Sequence, residues 1–149
     1  MRIENSIEIA ATAEKIWPFL IEPEKIMKWF TLLQKFEYTG DKKSGAGATF
    51  YYEEKSGPQL MKFNFKVTEW VENERLAFVM TSGPMKRDDE IWSIKAAPSG
   101  STVTLTMDVE MPWGVIGKIL DRLFAGSLVG KHQKEILANL KALLELPAK

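Results

Sequence analysis

Residues 101–111 read STVTLTMDVEM, and this stretch decides the fold. It alternates threonines and acids with five apolar residues, namely Val103, Leu105, Met107, Val109 and Met111. A period of two is typical of a β-strand with one buried face. A slip of one residue in the pairing of such a strand would turn its apolar set to solvent, so the pattern also restrains the register. We therefore expect a sheet with one strongly apolar face.

The same alternation recurs along the chain before this stretch. Clusters of Gly, Pro, Asn and Ser separate the alternating segments, and their short spacing predicts consecutive antiparallel hairpins. The predicted strands are residues 2–9, 33–39, 46–55, 59–70, 75–82, 87–97 and 101–111.

Two short helices are predicted between the first and second strands. Pro18 limits the first helix, residues 13–21, because a proline beyond the first turn removes a backbone donor and clashes with the preceding turn. Pro23 suits the first position of the second helix, which continues over residues 24–30, because the N–H that proline lacks would be unpaired there.

After Pro112 the period becomes helical, with apolar residues three or four positions apart. The stripe consists of Ile116, Ile119, Leu120, Leu123, Phe124, Leu128, His132, Ile136, Leu140, Leu143 and Leu144. A straight helix of this length would span ~48 Å, whereas a compact domain of this size is ~38 Å across, so we expect a break at Gly126 or Gly130. The predicted fold is α+β, with a curved antiparallel sheet of about seven strands wrapped around a long C-terminal helix.

Composition narrows the class of protein. The chain has 149 residues, 45% of them hydrophobic and 27% charged, which predicts one domain over residues 1–149. Twenty Lys and Arg balance twenty Asp and Glu, which argues against nucleic acid as the partner. There is no cysteine and one histidine, a poor ligand supply for zinc or iron. No apolar run approaches the ~20 residues of a membrane span, so we expect a cytoplasmic protein without integral membrane association.

Several short motifs follow one another in a specific order. They are Ile7-x-Ile9, ATAEKIW at 11–17, Ile26-x-x-Trp29, GAGATF at 45–50, and VTEW at 67–70 followed by Arg75-Leu76. With the amphipathic C-terminal helix, they make residues 3–146 resemble the START-like, birch-pollen-allergen-like (SRPBCC) superfamily, and within it the polyketide cyclase/dehydrase and lipid-transport group. The resemblance implies a helix-grip fold whose cavity, between sheet and last helix, binds apolar or amphipathic small molecules. Because such folds host carriers, enzymes and chaperone cofactors alike, function has to be argued from the site.

The faces expected to line this cavity carry the candidate ligand-binding residues. On the sheet these are Tyr52, Phe63, Phe65, Phe78, Met80, Trp92 and Met107, and on the last helix they are Leu120, Phe124, Leu128 and His132. Methionine and aromatic side chains suit an adaptable apolar pocket, and they also fill ordinary cores. Tyr52 either points its hydroxyl at the ligand or lies at the cavity rim.

His132 is the one titratable residue on the helical stripe. Three roles are open to it: a histidine of the core or cavity wall, a polar anchor for the ligand, and an acid/base catalyst.

A second candidate group is the acidic run at residues 88–90. On a strand, Asp88 and Glu90 share one face. We expect the run to be a solvated hairpin end beside Lys86 and Arg87, where exposed ion pairs contribute little. Glu90 is the exception, because it lies on the presumed inner face and can enter the cavity as a lone carboxylate with a raised pKa.

Three functions are compatible with these residues. The first is binding, with or without transport, of an apolar or amphipathic small molecule. The second is an enzyme of cyclase or dehydratase type in which His132 or Glu90 shuttles a proton. The third is a protein-interaction module that resembles the chaperone-ATPase activators of the superfamily and uses the outer sheet face. None of the three calls for a cofactor or a metal ion.

Overall fold

The structure, a computed structural model, describes residues 1–112, 114 and 126–147. These residues include a seven-stranded antiparallel sheet and three helices whose bounds are described. In chain order these are β1 (Arg2–Ile9), α1 (Ala13–Ile21), α2 (Pro23–Trp29), β2 (Leu33–Thr39), β3 (Thr49–Ser56), β4 (Gln59–Val71), β5 (Arg75–Ser82), β6 (Arg87–Ala97), β7 (Gly100–Glu110) and α3 (Gly126–Leu144). The predicted α+β helix-grip architecture is confirmed.

The strand order across the sheet is β1-β7-β6-β5-β4-β3-β2. Every strand from β2 to β7 therefore pairs with its neighbour in sequence, as the hairpin prediction requires, and β1 returns to pair with β7. The largest difference in a boundary is at β3, which begins at Thr49 instead of residue 46. Gly45 and Gly47 have φ angles of 78° and 92°, which favour glycine, so the chain is still turning there.

The two prolines act on the first helices as predicted. α1 includes Pro18 and ends at Ile21, and α2 begins with Pro23 in its first turn. The two helices join the opposite edge strands of the sheet, β1 and β2. Trp29 secures their contact, because its indole Nε1 donates a hydrogen bond to the carbonyl of Phe19 at 2.7 Å.

Aromatic rings pack against one another along the inner face of the sheet. The ring of Phe65 is fully buried and lies 5.1 Å, centroid to centroid, from Phe50 on β3 and from Phe78 on β5. The first pair is stacked and the second is edge-to-face, which are the favoured arrangements of such rings. This cluster gives the face a wall of rigid side chains.

α3 runs through Gly130 without interruption, so the break predicted at that residue is wrong. A β-carbon at Gly130 would lie 3.8 Å from Cγ2 of Ile3, an ordinary van der Waals contact, so this turn of the helix packs against β1 without requiring glycine. The stripe residues Ile116, Ile119, Leu120, Leu123 and Phe124 lie outside the described residues. None of the helices in the described part of the chain has the length and hydrophobicity to cross a membrane.

A buried glutamine fixes α3 on the first strand. Gln133 is fully buried, and its Nε2 donates to the carbonyl of Ile3 at 3.1 Å. Its Oε1 accepts from Nδ2 of Asn5 at 2.6 Å. Because both partners belong to β1, these bonds set the height of the helix above the sheet.

We predict that Gln133→Ala lowers the free energy of unfolding by about 2 to 3 kcal/mol, because it removes a fully buried side chain and its two hydrogen bonds to half-buried groups of β1. Urea unfolding followed by tryptophan fluorescence measures the loss. The control is Gln34→Ala, at an exposed glutamine, where we expect a change below about 0.5 kcal/mol. Equal effects at the two sites would contradict this role of Gln133.

Candidate functional site

A cavity of about 250 Å³ lies between the inner face of the sheet and α3. Most of its wall is apolar and includes Phe30, Met61, Phe63, Met85, Met107 and Ile136. The polar part of the wall consists of Tyr52, Glu54, Ser56, Asp88, Glu90 and His132. The cavity therefore offers a large apolar surface together with a few polar groups, as ligand sites commonly do.

A second, smaller cavity of about 40 Å³ lies deeper, beneath α1 and α2. Phe78 and Trp92 are among its lining residues. Phe30, Tyr52 and Glu90 line both cavities and so form the partition between them. Rotation of these three side chains is the step that would join the two spaces.

The structure brings most of the predicted ligand-binding residues to these cavities. Phe78 and Trp92 line the small one, and the large one is lined by Tyr52, Phe63, Met107, Leu128, His132 and the acid/base candidate Glu90. Phe65 packs within the aromatic core and Met80 is half-buried beside it, and neither is among the described residues that line a cavity. Leu120 and Phe124 lie outside the described residues. Ligand contact by these side chains stays a prediction.

Leu128 lies at the cavity mouth and is 68% exposed, so the prediction that it belongs to the buried stripe is wrong. The buried residues of α3 are Gln133, Ile136, Leu137 and Leu140. The buried face of the helix therefore packs against β1 and α2, whereas Leu128, in the first described turn, stays exposed. Tyr52, by contrast, is buried, and a position at the exposed rim is ruled out.

Three carboxyl groups face the large cavity. Glu54 on β3 and Glu90 on β6 are each 8% exposed, and Asp88 is only 2% exposed. The prediction of a solvated hairpin end is therefore wrong for Asp88, because the alternation that turns Trp92 inward turns Asp88 inward too. The prediction that Glu90 is a lone carboxylate is also wrong.

Curvature of the sheet brings these groups together. Glu54 and Glu90 belong to strands that β4 and β5 separate. Pairing of β5 with β6 runs from Arg75↔Ser93 to Val79↔Asp89, so Asp88 lies just past the last pair, where the cavity opens. We call Glu54, Asp88 and Glu90 the carboxyl cluster.

Burial is the main cause of the unusual titration of the carboxyl cluster. Burial, with repulsion from Asp88, raises the pKa of Glu54 to about 7. Burial also raises the pKa of Asp88 to about 7, against the lowering effect of a hydrogen bond from Glu90. The pKa of Glu90 lies well above its usual value because of burial, the charge of Asp88 and that hydrogen bond. The pKa of Tyr52 is likewise raised, by burial and then by the three acids.

With Glu90 protonated, one oxygen of Asp88 still has no hydrogen-bond donor among the described residues. Glu90, held in its neutral form, acts as a hydrogen-bond donor to Asp88. Asp88 Oδ1 is buried and has no hydrogen-bond partner among the described residues. A buried polar atom without a partner costs folding free energy, so this oxygen calls for a hydrogen-bond donor.

His132 lies across the cavity from β6, on α3. Its Nε2 is 3.7 Å from Oε1 of Glu54, and its ring centroid is 5.4 Å from that of Phe30. Burial lowers the pKa of His132, although the charge of Glu135 opposes the shift. The imidazole is therefore neutral near pH 7, beside a carboxyl that titrates close to that pH. Such a pair holds and exchanges a proton readily.

Sequence reasoning missed two members of the carboxyl cluster, Glu54 and Asp88. The available signal was the strand period, because Glu54 shares a face with Phe50 and Tyr52, and Asp88 with Glu90. Among the described residues, no group of three His, Asp or Glu side chains is arranged to hold a metal ion.

Comparison with known proteins places the chain in context. Residues 1–145 match the family model described as polyketide cyclase/dehydrase and lipid transport. An uncharacterised protein of Mycobacterium tuberculosis is 26% identical over 106 residues, which cover 69% of this chain and 62% of that protein.

Solved structures are similar over nearly the whole chain. A protein of Thermus thermophilus has a TM-score of 0.81 at 17% identity and covers 97% of both chains. The Zhui aromatase/cyclase of Streptomyces sp. R1128 has a TM-score of 0.80 at 13% identity, over 97% of this chain and 93% of its own. At these identities the likeness concerns the fold.

We predict that Asp88→Asn stabilises the protein at pH 8. The folded pKa of Asp88 exceeds its unfolded value, so ionisation costs stability progressively as pH rises toward about 7. The gain in unfolding free energy should therefore grow between pH 5 and pH 8 by on the order of 2 kcal/mol. Urea unfolding at the two pH values measures it.

The control for this experiment is Asp89→Asn, on the opposite face of the same strand. Asp89 is half-exposed, so its substitution should produce no comparable growth with pH. A loss of stability in Asp88→Asn that is the same at both pH values would show that Asp88 is not held against its ionisation.

Proposed function

The chain belongs to the polyketide cyclase/dehydrase and lipid transport family, and we propose that it binds an apolar or amphipathic small molecule in the large cavity between the sheet and α3. The observation that carries this proposal is the cavity itself, about 250 Å³ of space in a domain that otherwise packs an extensive core. Interiors are normally close-packed, so a mostly apolar space of this size beside a dense core is a candidate ligand site.

Burial of apolar surface supplies the affinity. Removing ~300 Å² of ligand surface from water at ~25 cal/mol per Å² contributes about 7 kcal/mol before the entropic costs of association. The wall includes Met61, Met85 and Met107, whose flexible thioethers adapt to ligands of different shape. The carboxyl cluster and Tyr52 set the orientation, because a ligand's polar group is satisfied only at that end. Transport and a cytoplasmic location stay predictions from the sequence.

An acid/base enzyme is the second candidate, and the pairing of His132 with Glu54 favours it. General acid/base catalysis is most efficient when the pKa of the catalytic group lies near the operating pH, as that of Glu54 does. A solved structure with the same fold is described as an aromatase/cyclase. The reaction that suits a neutral imidazole beside such a carboxyl is proton abstraction next to a carbonyl group.

The interaction-module function predicted from the sequence has less support, because a module that works through its outer sheet face gains nothing from an interior cavity.

We predict that Val129→Trp weakens binding in the cavity at least about tenfold, because the indole occupies space that the ligand needs. The neutral probe N-phenyl-1-naphthylamine, which fluoresces in apolar surroundings, measures the affinity. Native mass spectrometry of freshly purified protein, followed by solvent extraction, identifies any ligand that co-purifies.

Ala138→Trp is the matched control, since residue 138 is exposed on the same helix. It should leave the dissociation constant of the probe unchanged. Equal affinity of wild type and Val129→Trp for the probe would contradict binding in this cavity.

For the enzymatic candidate we predict that the protein accelerates hydrogen–deuterium exchange next to the carbonyl of 2-tetralone in D₂O, followed by NMR. His132→Ala should reduce the rate at least about a hundredfold, typical of losing a general base, while the ketone still displaces the fluorescent probe. Glu135→Ala, at an exposed residue near His132, should keep the exchange. Exchange that persists in a His132→Ala, Glu90→Ala double variant would rule this chemistry out.

A further inference from the structure

We propose that the carboxyl cluster is a recognition site for an organic cation, so that the ligand of the large cavity carries a protonated amine on an apolar body. This inference rests on the proposed function, because it names the class of molecule that the cavity takes. Three observations support it: the charges that line the cavity, the unpartnered oxygen of Asp88, and the aromatic wall.

Charge is unbalanced around the cavity. Glu54, Asp88 and Glu90 all face it, and no lysine or arginine is among the described residues that line it. Of those lining residues, His132 alone is able to carry positive charge, and burial disfavours its protonation. Buried acids are normally paired with a cation, and the described lining residues supply no permanent one, which favours a ligand that carries a positive charge.

Asp88 Oδ1 supplies the second observation. Asp88 is 2% exposed and lines the cavity, and this oxygen has no hydrogen-bond partner among the described residues. An ammonium group has three N–H donors and meets this requirement with a charge-assisted bond, about twice as strong as a bond between neutral groups.

The wall around the carboxyl cluster also suits a cation with an apolar body. The rings of Phe30, Tyr52 and Phe63 line the same cavity, and Tyr52 packs 4.9 Å from Phe63 and 6.0 Å from Phe30 between ring centroids. Aromatic faces attract ammonium groups, most strongly where water is excluded. The described residues contain no group of three acidic or histidine ligands arranged to hold a metal ion, which favours an organic cation.

A neutral ligand is the competing interpretation, and pH separates the two. A carbonyl oxygen would accept a hydrogen bond from a protonated acid, so its affinity would fall as Glu54 and Asp88 ionise near pH 7. A cation stabilises the ionised acids, so its binding releases protons and strengthens between pH 6 and pH 8.

The other titratable groups around the cluster come from three places. Tyr52 contributes from β3, Asp89 lies beside the cluster on β6, and His132 faces it from α3 with Glu135 nearby. Because burial lowers the pKa of His132, its imidazole is already neutral near pH 7, and the acids account for the change in amine affinity over this range.

The test uses three probes of similar shape and different charge: 2-phenylethylamine, 2-phenylethanol and phenylacetate. Each is titrated at pH 6 and pH 8 against wild-type protein carrying N-phenyl-1-naphthylamine, with calorimetry in two buffers to count the protons released. We expect the amine to bind about tenfold more tightly than the alcohol at pH 8, as one charge-assisted bond permits, and phenylacetate to bind most weakly.

Asp88→Asn distinguishes a binding role from a structural one. It should remove the advantage of the amine over the alcohol and the dependence of amine affinity on pH. Asp89→Asn makes the same substitution on the opposite face of β6. It should retain the advantage of the amine and its dependence on pH. If Asp88→Asn stabilises the fold and also weakens amine binding, Asp88 acts in ligand recognition and does not stabilise the fold.

Two kinds of failure are distinguishable. If the alcohol displaces the fluorescent probe as well as the amine does, or if amine affinity falls from pH 6 to pH 8, the organic-cation inference is overturned and cavity binding stands. If Mg²⁺ or Zn²⁺ displaces the amine from wild type and not from Asp88→Asn, the site is a metal site and the inference is again overturned. If no probe binds and Val129→Trp behaves as wild type, the proposed function fails as well.

Discussion

The alternation of side chains along β6 ties the core of this protein to its carboxyl cluster. Trp92 and Ile94 are buried, and a strand that turns them inward turns Asp88 and Glu90 to the same side. β6 is also hydrogen-bonded on both sides, to β5 and to β7, so pairing with two neighbouring strands fixes its register. The two acids cannot reach solvent by a shift of the strand, because a one-residue slip would expose the indole of Trp92.

β3 extends the same constraint to the third acid. Phe50 and Tyr52 are buried against the aromatic rings of β4, and Glu54 follows them at the next inward position. The sheet then curves, and the acids of two separated strands face one cavity. α3 closes the space from the other side, held on β1 by the bonds of Gln133. The site is therefore a product of strand period and sheet curvature, with one helix as its cover.

Much of this was predictable from the sequence because it depends on period. The strands, the two proline-limited helices and the inward position of Glu90 follow from alternation and local chemistry. Asp88 was not predicted correctly, since Lys86 and Arg87 beside it are typical of a solvated hairpin end and the neighbouring charges outweighed the strand period. The prediction for Leu128 was wrong for a different reason. The helical stripe identifies the apolar face of the helix, but which residues of that face are covered depends on tertiary packing. The approach of His132 to Glu54, which are far apart in sequence, has the same origin.

The carboxyl cluster conflicts with what the fold alone would favour. An apolar side chain at position 88 would continue the pattern of Trp92 and Ile94 without a desolvation cost, as the buried Val109 does opposite it on β7. The acid instead has a buried oxygen without a partner among the described residues, and it titrates near neutral pH. Local conflicts of this kind concentrate at functional sites, where a ligand supplies the interaction that the chain omits. The proposed organic cation resolves the conflict, because its ammonium group pairs with Asp88 and its apolar body occupies the cavity.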